Sequence, residues 1–273
     1  MRRRTLLAAG VAGVATAAVA CGEDEEAAVA AERVPYGPGA SQWAELTRPA
    51  GRSRGVVVVI HGGFWRAAYD ASLGRPLAAD LAARGWTAYN VEYRRVGPGA
   101  DGGGGVPETL DDVAAAIDAL AGLDLDLDTV VTLGHSAGGH LATWAAARDR
   151  FDRWPAKVDL TAVISLAGVL DLTAAARAGL GAGAVEAFAG GPPGPAYERV
   201  DPARQLPLEV PVWCVHGADD EVVPVSQSAT YVDRAVAAGA TAELVTVEGD
   251  HFVVIDPTSA AWSRILGILD GLG

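Results

Sequence analysis

Residues 56–60 read Val-Val-Val-Val-Ile, five consecutive β-branched apolar side chains closed by His61, Gly62 and Gly63. Side chains alternate between faces along a strand, so an unbroken run of this kind fits only where both faces are buried. A strand with one wet face is thereby excluded, and the run demands the interior of a sheet covered by helices on both sides. The rest of the chain supplies that cover. Segment 73–85 has helical apolar spacing and ends on Gly85, 107–122 opens on Pro107 and acidic residues, and 226–239 and 259–272 repeat the helical pattern. Strand-like runs at 86–94, 128–134, 160–168, 210–217 and 242–249 alternate with these helices. Such alternation implies right-handed crossovers, so the predicted fold class is α/β, with a mostly parallel sheet, over residues 36–273. Segment 171–207, rich in Gly, Pro and Ala, is too long for a plain connection and is expected to form a small cap.

The first residues follow different rules. Arg2, Arg3 and Arg4 precede fifteen apolar or small residues, Leu6 to Ala20. As a helix this run spans roughly 22 Å, short of the roughly 30 Å hydrocarbon core, so it reads as a signal peptide over 1–20, with a resemblance to a twin-arginine export signal. Ala18, Ala20 and Cys21 are similar to a bacterial lipobox, which makes Cys21 the expected lipidation site; an ordinary secreted protein is the alternative. Residues 21–35 then read as an acidic flexible tether. Export to the cell surface, or secretion, is the expected localisation, with membrane contact only through that lipid anchor.

Acidic residues number 34 against 21 basic ones, a balance that repels polyphosphate and makes nucleic acid an unexpected partner. Beyond Cys21 only Cys214 remains, so the domain has no internal disulfide, and Cys214 reads as a buried small apolar residue.

Reactive groups in parallel sheets gather at the carboxyl ends of strands, where helix N-termini converge. Gly134-His135-Ser136-Ala137-Gly138 is a G-x-S-x-G sequence between a predicted strand and a predicted helix, the context in which it presents a nucleophilic serine. A helix N-cap is the plainer reading of Ser136, so the decision rests on partners. His61-Gly62-Gly63-Phe64-Trp65 follows another strand. Its turn can aim amides at a developing negative oxygen, so Gly62, Gly63 and Phe64 are the candidate oxyanion-hole residues together with Ala137 N–H. Trp65 and the 171–207 segment are expected to shape the substrate pocket. After the strand at 210–217 come Asp219, Asp220 and Glu221; Asp220 is preferred because it stands just ahead of Val222, Val223 and Pro224. Among the five histidines, His251 follows the acid on a separate loop and is the candidate general base. No H-x-x-x-H spacing occurs, so neither a metal nor a cofactor is expected.

In order, HGGFW, GHSAGGH, HGADDEVVP and GDHF, spread over residues 55–256, resemble the α/β-hydrolase superfamily, in particular the esterase branch around kynurenine formamidase and hormone-sensitive-lipase-like esterases. The H-G-G-x-W form is more similar to the formamidase group than to the H-G-G-G lipases. The resemblance implies an α/β-hydrolase fold with nucleophile, acid and base at Ser136, Asp220 and His251. It implies a serine hydrolase acting on a small-molecule carboxylic ester with a short-chain or aromatic acyl group. An arylformamidase or amidase is the alternative; because kynurenine formamidase is a cytosolic activity and this N-terminus resembles an export signal, the ester ranks first. A non-catalytic surface lipoprotein that kept the fold for binding is a further alternative.

Overall fold

The computed structural model describes residues 31–273. The signal peptide expected over 1–20 and the lipidation site expected at Cys21 lie outside the described residues.

Eight strands form one sheet: β1 (Glu32–Pro35), β2 (Trp43–Thr47), β3 (Val56–Ile60), β4 (Thr87–Val91), β5 (Val130–His135), β6 (Ala162–Leu166), β7 (Val212–Gly217) and β8 (Ala242–Val247). Their order is β1-β2-β4-β3-β5-β6-β7-β8; β1 and β2 run antiparallel to their neighbours and the other pairings are parallel. The helices are α1 (Arg75–Ala83), α2 (Glu108–Ala119), α3 (Ala137–Ala145), α4 (Leu172–Arg177), α5 (Ala184–Ala189), α6 (Ser226–Ala237) and α7 (Ala260–Asp270).

The valine run does what its pattern demands. Val56, Val58 and Ile60 join one core with Leu110, Val113 and Ile117 of α2 and Leu141 and Trp144 of α3. Val57 and Val59 join the opposite core with Leu77 and Leu81 of α1 and Trp262 and Ile265 of α7. Each fully buried side chain of this size contributes about 1.5–3 kcal/mol, and with both faces covered no register slip can move one to solvent at lower cost. Helix ends follow local chemistry: Pro76 sits in the first turn of α1, Gly85 takes φ +90° just beyond it, and Ser259 Oγ accepts from Trp262 N–H at the start of α7.

One expectation changes here. The tether was expected to reach Pro35, but Glu32 to Pro35 pair with β2 as an edge strand. Only Val34 of the four is buried, so an edge strand half in water carries no apolar run that could betray it in the sequence. Segment 171–207 folds into α4, α5 and two short 3-10 turns packed into the domain, with Leu172, Val185 and Phe188 in the first core.

Candidate active site

Ser136 joins β5 to α3 with φ 56° and ψ −117°, a backbone conformation that costs an L-residue about 1–3 kcal/mol. Backbone bonds on both sides hold it there: Ser136 N–H donates across the sheet to Leu166 O on β6 at 2.8 Å, and His140 N–H donates to Ser136 O at 3.1 Å in the first turn of α3. Gly138 is obligatory, because a Cβ there would lie 2.0 Å from Ile60 O on β3. Although Ser136 stands at the N-cap position, its side chain caps none of the helix amides, so the plain capping role is not the one it fills. Ser136 instead lines a cavity of about 120 Å³, which His251 also lines.

His251 comes from the loop after β8, and its Nδ1 lies 2.7 Å from Asp220 Oδ2. Asp220 Oδ1 accepts the Val222 and Val223 N–H groups, both at 2.8 Å, which locks the carboxylate into the turn after β7. Burial by itself would push the Asp220 carboxyl up, but hydrogen bonds from His216 and His251 and from Val223 N–H outweigh it and hold the acid well below the usual carboxylate range. Asp219, Glu221 and Asp250 are exposed, and Asp250 Oδ1 accepts the Phe252 and Val253 N–H groups of its own turn. His135, the residue before the serine, donates from Nε2 to His251 O at 2.9 Å, with the two rings 4.5 Å apart. Burial, reinforced by the neighbouring His251, lowers the His135 pKa to about 3, so this brace is neutral at ordinary pH.

Gly62, Gly63 and Phe64 form the loop opposite the serine. A Cβ on Gly62 would lie 2.8 Å from His135 O and 3.1 Å from Ser136 Cβ, so the loop backbone reaches the Ser136 turn only because that side chain is missing. The Gly63 and Phe64 amides have no backbone acceptor among the described residues, and Ala137, first in its helix, leaves its N–H unused as well. The loop is tied from behind. Tyr93 OH donates to His61 O at 2.8 Å, the two rings stack at 4.4 Å, and His61 Nδ1 donates to Gly62 O at 2.8 Å. His61 Nε2 lies 3.3 Å from Glu92 Oε1, and Glu92 is itself paired with the buried Arg95 and accepts Ala71 N–H at 2.9 Å.

Trp65 does not line the pocket, contrary to the sequence expectation. It is fully buried, stacked on Phe188 at 4.6 Å, and its indole N–H donates to His140 Nδ1 at 3.2 Å. His140 Nε2 in turn donates to Val200 O at 2.8 Å, and burial lowers its pKa to about 4. The indole therefore links the 61–65 loop to α3 and to the 171–207 segment, holding Phe64 and Trp65 at φ 52° and 55°. Loop position and aromatic identity are readable in sequence, but the side of the loop from which the ring is clamped is not. Trp65→Phe keeps the stacking and leaves a buried imidazole nitrogen without its donor; a loss of about 1–3 kcal/mol is expected, read as a lower urea midpoint at unchanged slope.

The cavity walls are Phe64, Tyr69, Leu73, Val222, Phe252 and Ile255, with no charged carboxylate or ammonium among the lining residues. Of the four large hydrophobic side chains most exposed on the described surface, Tyr69 (44 %), Leu73 (39 %) and Phe252 (57 %) rim this one opening. The 171–207 segment contributes no lining residue and backs the pocket only through Phe64, which Gly181 approaches. A wider depression of about 450 Å³ around Asp111, Arg153 and Trp154 lies on another surface, where Asp111 and Arg153 pair with each other. Among the described residues no group of three His, Cys, Asp or Glu side chains is placed to hold a metal ion.

The family model BD-FAE matches residues 46–234, more than half of the chain. The chain is similar to esterase B from Lactobacillus rhamnosis, solved with a C4-C4 SN3 tributyrin phosphonate inhibitor, at TM-score 0.78 and 22% identity over 90% of this chain and 85% of that one. It is similar to the thermophilic esterase Est2 from the planctomycete Thermogutta terrifontis at TM-score 0.70 and 25% identity over 88% and 90% of the two chains. Est2 with butyrate bound gives TM-score 0.69 and 25% identity over 88% and 92%. No curated protein sequence matches the chain. The mostly parallel eight-stranded sheet with its covering helices is an α/β-hydrolase fold.

Proposed function

The chain belongs to the BD-FAE family, and from that premise we propose that it is a serine hydrolase cleaving a carboxylic ester of a short or aromatic acyl group through an acyl-enzyme. The observation that carries the reading is the geometry of one cavity: an uncapped Ser136 hydroxyl at a strained elbow shares it with His251, whose far nitrogen is held 2.7 Å from a buried aspartate. His251 takes the Ser136 proton as the oxygen attacks the ester carbonyl. The Gly63, Phe64 and Ala137 amides receive the developing oxyanion, each such donor contributing roughly two to three powers of ten in rate. His251 then protonates the leaving alcohol, and water releases the acyl group by the same route in reverse. Solved relatives that are esterases, one of them with butyrate bound, support ester chemistry.

The walls narrow the substrate. A cavity of about 120 Å³ has roughly the volume of four liquid waters, which suits a small acyl group, and the apolar rim suits an alkyl or aryl substituent lying across the mouth. The formamidase-like H-G-G-x-W motif keeps a formamide as the second reading. N-formylkynurenine, however, carries an ammonium and a carboxylate, and no oppositely charged side chain lines the cavity to pair with them. The arginine-led apolar start and Cys21 support export with a lipid anchor.

A fluorophosphonate probe is expected to label the wild-type protein and to fail on Ser136→Ala, with p-nitrophenyl acetate turned over and N-formylkynurenine left intact. Equal labelling of both proteins would remove Ser136 as nucleophile. Turnover of the formamide alone would reverse the order of the two substrates.

A further inference from the structure

His216, the residue of β7 before its final glycine, is completely buried, lies outside the cavity and has no part in the steps above. Its Nε2 nevertheless lies 3.1 Å from Asp220 Oδ2, the same oxygen that faces His251 Nδ1 at 2.7 Å. Asp220 is thus clasped between two imidazoles on one oxygen and two backbone amides on the other.

The protonation of His216 follows from its neighbours. Nε2 faces two acceptors, Asp220 Oδ2 and Val223 O at 2.9 Å, and must carry the proton. Nδ1 lies 2.8 Å from Ser228 Oγ on α6 and accepts the hydroxyl proton. Ser228 also hydrogen-bonds Cys214 on β7, whose thiol burial pushes up to about 12, so this end of the chain of contacts stays uncharged.

We infer that His216 is a positioning residue for the reaction: its Nε2–H holds Asp220 in the rotamer that meets His251 and draws part of the carboxylate charge away from that histidine. The inference rests on the serine-hydrolase reading of the site. A carboxylate oxygen that meets a second N–H donor turns less of its charge toward His251 than one whose aspartate is held by amides alone. The other titratable groups around the pair are His135 at the end of β5, tilted against the His251 ring, Tyr231 on α6, and the exposed Asp219, Glu221 and Asp250 on the two flanking loops. None of these hydrogen-bonds Asp220 Oδ2, which leaves His216 Nε2, shared with Val223 O, as the second nitrogen within 3.1 Å of that oxygen among the described residues.

His216→Phe removes the donor and keeps a ring; His216→Gln returns an N–H near the Nε2 position. For His216→Phe, kcat is expected to fall about tenfold with KM little changed, and the acidic limb of kcat/KM is expected to move up by about half a pH unit. His216→Gln is expected to restore both toward wild type. An unmoved acidic limb in His216→Phe, or an equal displacement in both variants, would overturn the inference, since a role in packing alone predicts one or the other. Nitrogen-15 NMR of the wild-type protein, with the His216 signal identified by its loss in His216→Gln, decides the case if His216→Phe does not fold. The Nε2–H tautomer is required and the Nδ1–H tautomer overturns it. That measurement needs no turnover, so its failure is separable from a failure of fluorophosphonate labelling, which would count against the hydrolase reading instead.

Discussion

Ser136→Ala is expected to lower kcat on p-nitrophenyl acetate by about 10⁵–10⁶-fold, leaving only the rate that the oxyanion amides and substrate binding supply by themselves. The size of the loss follows from the arrangement of the partners. His251 and Asp220 have nothing to activate once the hydroxyl is gone, and removing them as well should add little. The same position gives an independent reading of strain. With φ at 56°, Ser and Ala both bear the Cβ clash, whereas glycine does not. Ser136→Gly is therefore expected to be as inactive as Ser136→Ala but about 1 kcal/mol more stable in urea unfolding. Activity retained by Ser136→Ala would place the nucleophile elsewhere, and equal stability of the two variants would show that the elbow is unstrained.

Acid is expected to unfold the domain earlier than its carboxylates alone would. Burial lowers His135 to about 3 and His140 to about 4, both below the roughly 6.5 of an exposed imidazole. Between those values the unfolded chain binds the extra protons and the folded one does not, so stability rises with pH there. The contribution of the two neutral rings is fully present above about pH 6.5 and is lost as pH falls through the window. Each ring changes stability by about 1.4 kcal/mol per pH unit, so near pH 5 the two together remove roughly 4 kcal/mol, a large share of the 5–15 kcal/mol typical of a domain. Asp220, held below the ordinary carboxylate range, begins to matter only under about pH 4, which keeps the two effects apart. Urea midpoints at half-unit steps from pH 7.5 to 4.5 check this. A flat profile over that range would mean that both rings ionise in the folded protein as they do in the unfolded one, and half the expected slope that one of them does.

Much of the site is legible one segment at a time. Ser136, Gly62 and Gly63 announce themselves because a tight strand-to-helix turn and a backbone near a nucleophile are local demands, and glycines on either side of the chain meet them. Asp220 and His251 are legible as loop residues at strand ends, and the structure puts them 2.7 Å apart. Trp65 is the instructive failure. An aromatic after Gly62 and Gly63 looks like a pocket wall, and only the folded chain shows His140 of α3 and Phe188 of the 171–207 segment arriving to bury it. His216 fails in the opposite sense, since its sequence position ahead of the acid disqualifies it as the base while concealing that it grips the acid from behind.

The sequence by itself determined the class of sheet, the helices that cover it and the tight turns at the strand ends, because periodicity and turn residues report whether a side chain is buried and how the backbone bends. The tertiary structure alone decided that Glu32 to Pro35 close the sheet edge, that Phe64, Tyr69, Leu73 and Phe252 form the wall and rim of the cavity, and that one aspartate oxygen is shared by two histidines. Those facts depend on which atoms from distant segments come within hydrogen-bonding or van der Waals reach, and no local pattern of burial names the partner.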